Sequence, residues 1–262
     1  MEITLNELLD GKATTIKGKD FLPTAAYVEP FIERMSPITT DFRIQVKLPD
    51  QITYDKNGDL KTDNITYNRV YIQAVLPNEY MINNISHSRV IGFVYGLDVK
   101  TPIVKIFTGG LNSACTNLCV FRPDFLQVQE ILPESPINFK AVKELLEKTD
   151  DTRVLLENLV RTDFDTSIDN VNESLGRWTR NTIHESYDNG YQNKVKLGTQ
   201  VPVEAYKLLF EEKTSPYYVG INNPCNMFTV FNAFTQINTD ARKKDIFNDF
   251  ERNLLISNII NL

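Results

Sequence analysis

Apolar and polar residues alternate with a period of two in parts of the first half of the chain. In the run 42–48, FRIQVKL, every second residue is apolar. Because successive side chains of a strand point to opposite faces, this run predicts a β-strand with one face in solvent. Asn57-Gly58 is typical of a tight hairpin turn. Further strands are predicted at Thr66–Leu76, Val90–Leu97, Ile103–Phe107 and Leu126–Ile131.

The second half of the chain has a helical period instead. Apolar residues recur at spacings of three and four between Phe139 and Leu146. A second apolar stripe begins at Val154, after a predicted N-cap at Asp150-Asp151, and is expected to continue to about Trp178. Two more helices and an amphipathic tail are predicted at Val203–Phe210, Met227–Ile237 and Lys244–Ile260.

The N-terminal segment combines short helical patterns with prolines. Leu5, Leu8 and Leu9 predict a short helix, and the apolar residues after Pro30 predict a helical turn or more with that proline at its first position. We interpret residues 1–40 as a clasp that packs against the core.

Strands first and helices second predict an α+β fold. We expect an antiparallel sheet formed mainly by the N-terminal half and packed by helices from the C-terminal half. A single domain over residues 1–262 is predicted, with the N-terminal clasp at 1–40, a strand-rich half at 41–135 and a helix-rich half at 136–262. A chain of 262 residues that is 42% hydrophobic can bury a core of this kind.

The net charge of −6 argues against a protein whose whole surface coats nucleic acid, because phosphate binding depends on lysine and arginine. The charge is unevenly distributed. Residues 140–173 carry five basic and nine acidic side chains, whereas residues 176–198 carry four basic and two acidic ones. A local basic groove is therefore compatible with the sequence after position 176.

Cysteine content and hydropathy indicate the compartment. Three cysteines and no apolar leader make a disulfide framework unexpected and favour a reducing cytoplasm. No run approaches the roughly 18 consecutive apolar residues that a membrane-spanning helix needs. We therefore predict a cytoplasmic protein without a membrane partner.

Metal and nucleophile chemistry has few candidate residues. Cys115, Cys119 and Cys225, with His87 and His184, could form a zinc site only by recruiting distant residues, so buried inert thiols are favoured. A Cys115 nucleophile activated by His87 is a second interpretation, the alternative being that His87 lines the start of a strand. Gly109-Gly110 lacks the residues that follow a phosphate-binding loop and predicts a turn.

The carboxylates Asp163, Asp165, Asp169 and Glu173 resemble a metal cluster in their spacing, but a solvated acidic face explains them better. With no convincing acid–base or nucleophile group, the sequence predicts a non-enzymatic protein with no catalytic residue, cofactor or metal site.

The segment after residue 176 combines cationic and aromatic side chains. This combination is used where proteins stack unpaired bases and neutralise phosphates. A second interpretation is that the tryptophan anchors a helix in the core while the arginines stay solvated. The predicted nucleic-acid-binding residues are Arg177, Trp178, Arg180, Tyr187, Tyr191, Lys194 and Lys196.

Three short motifs resemble the phage- and plasmid-borne domain of unknown function 932. The motifs are SHS at 86–88, CTN at 115–117 and NAFT at 232–235. In that family an Asn-Ser-His-Asp-Gly-like run precedes an Arg-x-Val-Cys-x-Asn segment, and a Tyr-Asn-Ala-x-Thr helix follows. Here residues 111–114, LNSA, stand where the arginine is expected, and Phe231 replaces the tyrosine. The resemblance extends from about Phe21 to Asn253.

The resemblance implies a bacteriophage gene expressed in a bacterial host cytoplasm, alongside replication and recombination genes. The order of strands and helices is also similar to that of single-strand annealing proteins, which assemble into rings. We therefore expect a homo-oligomer that binds single-stranded DNA and promotes strand annealing in recombination or replication. The alternative is a protein-interaction module that inhibits a host defence complex or is sensed by one. A structural virion component is a third hypothesis.

Overall fold

The protein was analysed as a computed structural model. The structure describes residues 4–10, 14–16, 19–47, 69–96, 103–112, 118–119, 122–130, 139–188, 191–242 and 249–260. For some of these, including residues 14–16, 19–21, 183–188 and 191–196, only the backbone is described. The predicted hairpin turn at Asn57-Gly58 lies outside the described residues.

The N-terminal segment forms two helices and a small hairpin. Helix α1 spans Leu5–Leu9, strands β1 and β2 span Thr14–Ile16 and Lys19–Phe21, and helix α2 spans Thr24–Met35. The helix predicted to begin at Pro30 therefore begins six residues earlier, and the proline is internal to α2. Burial of α2 side chains on both sides of this proline, including Val28 and Phe31, offsets the lost backbone hydrogen bond.

A sheet follows, with seven strands in the described part of the chain, and every described strand pair in it is antiparallel. Its strand order is β3-β4-β6-β7-β8, with β5 paired to β6 and β9 paired to β7. The strands are β3 (Phe42–Lys47), β4 (Arg69–Val75), β5 (Tyr80–Ile82), β6 (Ile85–Gly96), β7 (Ile103–Asn112), β8 (Leu118–Cys119) and β9 (Leu126–Glu130).

The two longest strands each pair with two shorter strands in succession. Val90 of β6 lies opposite Val75 of β4, whereas His87 of β6 lies opposite Tyr80 of β5. Likewise, the first half of β7 pairs with β9 and its end pairs with β8. The sequence predicted the C-terminal part of β6 and the first half of β7, but it missed residues 85–89 of β6, residues 108–112 of β7 and the short strands β5 and β8.

Helices dominate the rest of the chain, so the α+β fold predicted from the sequence is confirmed. A further hairpin lies between α5 and α6. The helices are α3 (Lys140–Glu147), α4 (Thr149–Arg161), α5 (Ile168–Arg180), α6 (Gln200–Phe210), α7 (Met227–Arg242) and α8 (Asp249–Ile259), and the hairpin is formed by β10 (Ile183–Asp188) and β11 (Tyr191–Lys196).

The single helix expected from Val154 to about Trp178 is wrong, because residues 162–167 separate α4 from α5. Backbone groups in this linker bond to the segment that precedes α7. Phe164 N donates to the Cys225 carbonyl at 2.9 Å, and Met227 N donates to the Thr162 carbonyl at 2.8 Å. These long-range hydrogen bonds take the place of the backbone hydrogen bonds that a continuous helix would make.

The chain divides into two compact units. Unit 1 comprises residues 1–77, 90–108 and 126–147, and unit 2 comprises residues 78–89, 109–125 and 148–262. Strands β6 and β7 therefore contribute residues to both. The expectation of one domain over residues 1–262, with divisions at 40 and 135, stays a prediction.

The core of unit 1 lies between α2, α3 and one face of the sheet. Three of its rings contact one another, with Phe31 5.0 Å from Phe93, Phe93 6.2 Å from Phe139 and Phe31 6.5 Å from Phe139. Strand β3 keeps the predicted solvated face, since Arg43 is exposed and Ile44 is buried. The residues of β4 after Arg69 are buried on both faces, so alternation in polarity is lost there.

The core of unit 2 is built from α4 to α8 and strand β5. Its largest side chains are Trp178 and the phenylalanines of α7, all of them fully buried or nearly so. No helix among the described residues has both the length and the apolar character needed to cross a membrane.

The first prediction concerns Gly92 on β6. A Cβ at this position would lie 2.1 Å from Cζ of Phe107, so Gly92→Ala requires the aromatic ring to move. We expect a loss of about 1–3 kcal/mol in the free energy of unfolding, measured by urea denaturation. Gly96→Ala on the same strand is the control, because its Cβ would meet only Arg69 Cγ at 3.8 Å and should be tolerated.

The loss should shrink when the ring is smaller. In a Phe107→Leu background, Gly92→Ala should cost about 1 kcal/mol less than in the wild type, because the two sites are in contact. Equal costs in both backgrounds would contradict the close approach of Gly92 to Phe107.

Candidate functional site

The turn between α4 and α5 is organised by Asp165. Its carboxylate accepts hydrogen bonds from Ser167 N at 2.8 Å and from Ser167 Oγ at 2.9 Å. Such a turn satisfies backbone groups just before the first turn of a helix. One residue later, Thr166 Oγ1 donates to the Asn223 carbonyl at 2.7 Å and fixes the linker to the loop before α7.

This turn and the first half of α5 present an exposed group of carboxylates. Asp163, Asp165, Asp169 and Glu173 are all exposed, and Ile168 among them keeps 50% of its surface accessible. We call these five residues the acidic surface. The solvated acidic face predicted from the sequence is therefore present, with an apolar side chain in its middle. Asp169 in the first turn of α5 and the two arginines in its last turn also complement the helix dipole.

Trp178 lies inside unit 2. Its side chain has 0% exposure, and its ring stacks on Phe164 at 5.9 Å and meets the edge of Phe234 at 5.1 Å. No base can reach this ring. This corrects the expectation that Trp178 provides a stacking surface, and it confirms the alternative that the tryptophan anchors a helix in the core.

Arg177 and Arg180 occupy the last turn of α5. Arg180 is exposed and Arg177 is half-buried, with a buried Nε. Neither arginine side chain has an ion-pair or hydrogen-bond partner among the described residues. Apart from its chain neighbours and the backbone of its own helix, no described atom lies within 4 Å of the position that a Cβ on Gly176 would take, so the helix surface beside the two arginines is open. Glu173 lies one turn before Arg177 without pairing to it.

The other predicted nucleic-acid-binding residues belong to the hairpin of β10 and β11. Only the backbone is described there, so the side chains of Tyr187, Tyr191, Lys194 and Lys196 lie outside the described part. The register pairs Glu185 with Lys194 and Asp188 with Tyr191. Acidic residues therefore stand opposite two of the four predicted positions.

Many described cations of unit 2 are paired with carboxylates. Arg89 Nη1 lies 2.9 Å from Asp150 Oδ1, and Lys148 Nζ lies 3.1 Å from Asp124 Oδ2. The further pairs are Arg122 with Asp124, Arg153 and Arg161 with Glu157, and Lys207 with Glu204. Paired cations contribute little positive potential, whereas the carboxylates of the acidic surface form no ion pair with a described cation.

The cysteine candidates are only partly described. The side chains of Cys115 and Cys119 lie outside the described residues, so the predicted pair of Cys115 with His87 stays a prediction. Cys225 is a free thiol, and burial raises its pKa to about 11. A thiol with this pKa is protonated at neutral pH and therefore a weak nucleophile. Within the described residues, no cluster of His, Cys, Asp or Glu could hold a metal ion.

His87 has a setting that the sequence analysis described only in part. It is the third residue of β6, which confirms that it lines the start of a strand, but it is also fully buried between Tyr80 and Phe228. The sequence contained a signal for this burial, since the period of two along β6 places position 87 on the same face of the strand as Ile91 and Phe93. Strand periodicity could not identify the contact with Phe228 of α7, because that residue is distant in the sequence.

The chain matches no known family model, no curated protein and no solved structure. The resemblance to the domain of unknown function 932 therefore stays a prediction, and functional proposals depend on the residues of this chain.

The second prediction follows from the burial of Trp178. Trp178→Ala should lower the free energy of unfolding by about 3–5 kcal/mol, because it removes the ring that Phe164 and Phe234 contact. Arg180→Ala is the control in the same helical turn, and its effect should stay within about 0.5 kcal/mol. Urea denaturation measures both. A Trp178→Ala protein as stable as the wild type would contradict the buried position.

Proposed function

We propose that this protein acts by binding another protein that presents a basic, nucleic-acid-binding surface. The observation that carries the proposal is the acidic surface with half-exposed Ile168 at its centre. Carboxylates steer a basic partner and select against acidic ones, while an apolar side chain within the patch supplies contact area that excludes water.

The charge balance of unit 2 supports this choice over a direct polyanion-binding role. Residues 163–173 contain four acidic and no basic side chains, and many described cations nearby are already paired. A surface of this kind attracts cationic groups and repels phosphates. The burial of Trp178 also removes one of the aromatic rings that single-stranded DNA was expected to stack on.

The biological setting of the proposal comes from the family resemblance. A phage protein expressed in a bacterial cytoplasm would meet a host defence complex whose nucleic-acid channel is basic. Blocking that channel would inhibit the complex, and being recognised by it would trigger it. Both outcomes begin with the same contact between an acidic and a basic surface.

The third prediction tests the acidic surface. Immobilised wild-type protein should retain a stoichiometric partner from host lysate, and Asp169→Lys with Glu173→Lys should weaken that binding at least about tenfold by reversing two charges. Binding should fall as salt rises. An oligonucleotide that occupies the partner's basic channel should compete with the immobilised protein.

Glu211→Lys with Glu212→Lys is the matched control. These carboxylates are exposed and lie outside the acidic surface, so the same change of net charge should leave binding unchanged. A partner that binds the two double variants equally well, or the absence of any stoichiometric partner, would contradict the proposal.

Single-stranded DNA binding and strand annealing by a homo-oligomer are a second candidate. The observation in its favour is that Arg177 and Arg180 lack a carboxylate partner among the described residues and lie beside the open surface at Gly176. Lys194 and Lys196 follow within twenty residues on the β10–β11 hairpin. Trp178 is inaccessible to bases, so Arg177 and Arg180 would contribute contacts to phosphates.

The fourth prediction tests this candidate by fluorescence anisotropy with a labelled oligonucleotide at low salt. Arg177→Ala with Arg180→Ala should weaken binding and reduce the slope of log affinity against log salt by about 1.4, because two phosphate contacts are lost. Arg153→Ala with Arg161→Ala removes the same charge from paired arginines and should change binding less. Absence of salt-sensitive binding by the wild type would exclude the candidate.

A further inference from the structure

His87 connects the β5–β6 hairpin to α7 within unit 2. Its imidazole ring stacks on the ring of its cross-strand neighbour Tyr80, with centroids 5.7 Å apart and planes 19° apart. Phe228, in the first turn of α7, meets the imidazole at 6.0 Å and 58°. With 0% exposure, the imidazole is enclosed at this contact.

The single described hydrogen bond of the ring shows which nitrogen carries the proton in neutral His87. Nδ1 lies 2.9 Å from the Ile85 carbonyl oxygen. A carbonyl only accepts, so Nδ1 carries the proton and Nε2 has a lone pair. Nε2 is buried and has no hydrogen-bond partner among the described residues. A second proton at Nε2 would add a donor with nothing described to accept it, and it would place a positive charge in a site that is shielded from water.

Among the described residues, the elements packed against the ring contribute no carboxylate that pairs with the imidazole and could neutralise that charge. The described side chains of α7, residues 227–238, contain no ionisable group, and β5 contributes only Tyr80, Met81 and Ile82. On β6 itself, Arg89 is positive and is paired with Asp150 of α4. Glu79, just before β5, accepts a hydrogen bond from Ser86. No described carboxylate forms an ion pair with His87.

The hairpin that carries His87 is defined by local geometry. Its two turn residues, Asn83 and Asn84, have φ of 46° and 62°, the positive values that a two-residue hairpin turn requires. Three residue pairs follow directly from this turn. The hairpin can therefore keep its register when its contact with α7 is lost.

We propose that His87 is a proton-operated latch: the neutral ring holds the β5–β6 hairpin against α7, and protonation of Nε2 releases it. Burial lowers the pKa of His87 from its ordinary value of 6.5, and the bond to the Ile85 carbonyl raises it to a smaller extent. The unfolded or opened state therefore binds the proton more readily. The stabilisation is complete above about pH 6.5 and is lost as pH falls below it.

The fifth prediction is a loss of local protection on acidification. Hydrogen exchange is measured on the full chain between pH 7.5 and 5.5, with rates corrected for intrinsic chemistry. Protection of amides at residues 80–89 should fall by up to about tenfold for each pH unit below 6.5, while that of α6 is retained. His87→Phe should remove this dependence, because a phenyl ring keeps the stacking and takes up no proton.

His184→Gln is the control, since it removes the other histidine and should behave as the wild type does. If His87→Phe fails to fold, titration of the imidazole of His87 in the wild type by NMR gives an independent readout, with an expected midpoint below 6.5. The latch is overturned by a midpoint at or above 6.5, by protection independent of pH in the wild type, or by an unchanged dependence in His87→Phe.

Discussion

The long strands β6 and β7 are the constraint on which the other features depend. Each is too long for one partner, so each pairs with two shorter strands in succession. As a result, Phe93 and Tyr95 of β6 lie in the core of unit 1, whereas His87 of the same strand contacts Phe228 within unit 2. The closeness of Gly92 to Phe107 belongs to the same constraint, because only a residue without a Cβ leaves room for the ring.

Charge in unit 2 is arranged mostly by short-range pairing. Carboxylates of α4 and of the Arg122–Phe125 segment neutralise nearby arginines and lysines, whereas the turn into α5 exposes carboxylates that form no ion pair with a described cation. Net charge alone would not distinguish these two situations. This separation of paired from unpaired charge is the basis of the proposal of a basic protein partner, and Arg177 and Arg180 at the end of α5 are the described cations on which the phosphate-binding alternative depends.

Polar groups inside the core of unit 2 are concentrated where its elements meet. His87 Nε2, Trp178 Nε1 and Asn232 Oδ1 are buried without a hydrogen-bond partner among the described residues. Buried polar atoms of this kind cost free energy and make a contact sensitive to protonation or to substitution. For the histidine, this cost depends on pH, which distinguishes it from the tryptophan and the asparagine.

Local pattern in the sequence determined the elements that depend on nearest neighbours. The alternation at 42–48 gave β3, the apolar stripes gave α3, α6 and α7, and the carboxylates of α5 proved to be a solvated face. Tertiary structure decided what depends on distant residues. Backbone hydrogen bonds to residues 222–227 interrupt the helix that was expected to continue after Val154. Packing against Phe164 and Phe234 buries Trp178. An aromatic ring beside arginines can face either solvent or the core, and only its long-range contacts decide between the two.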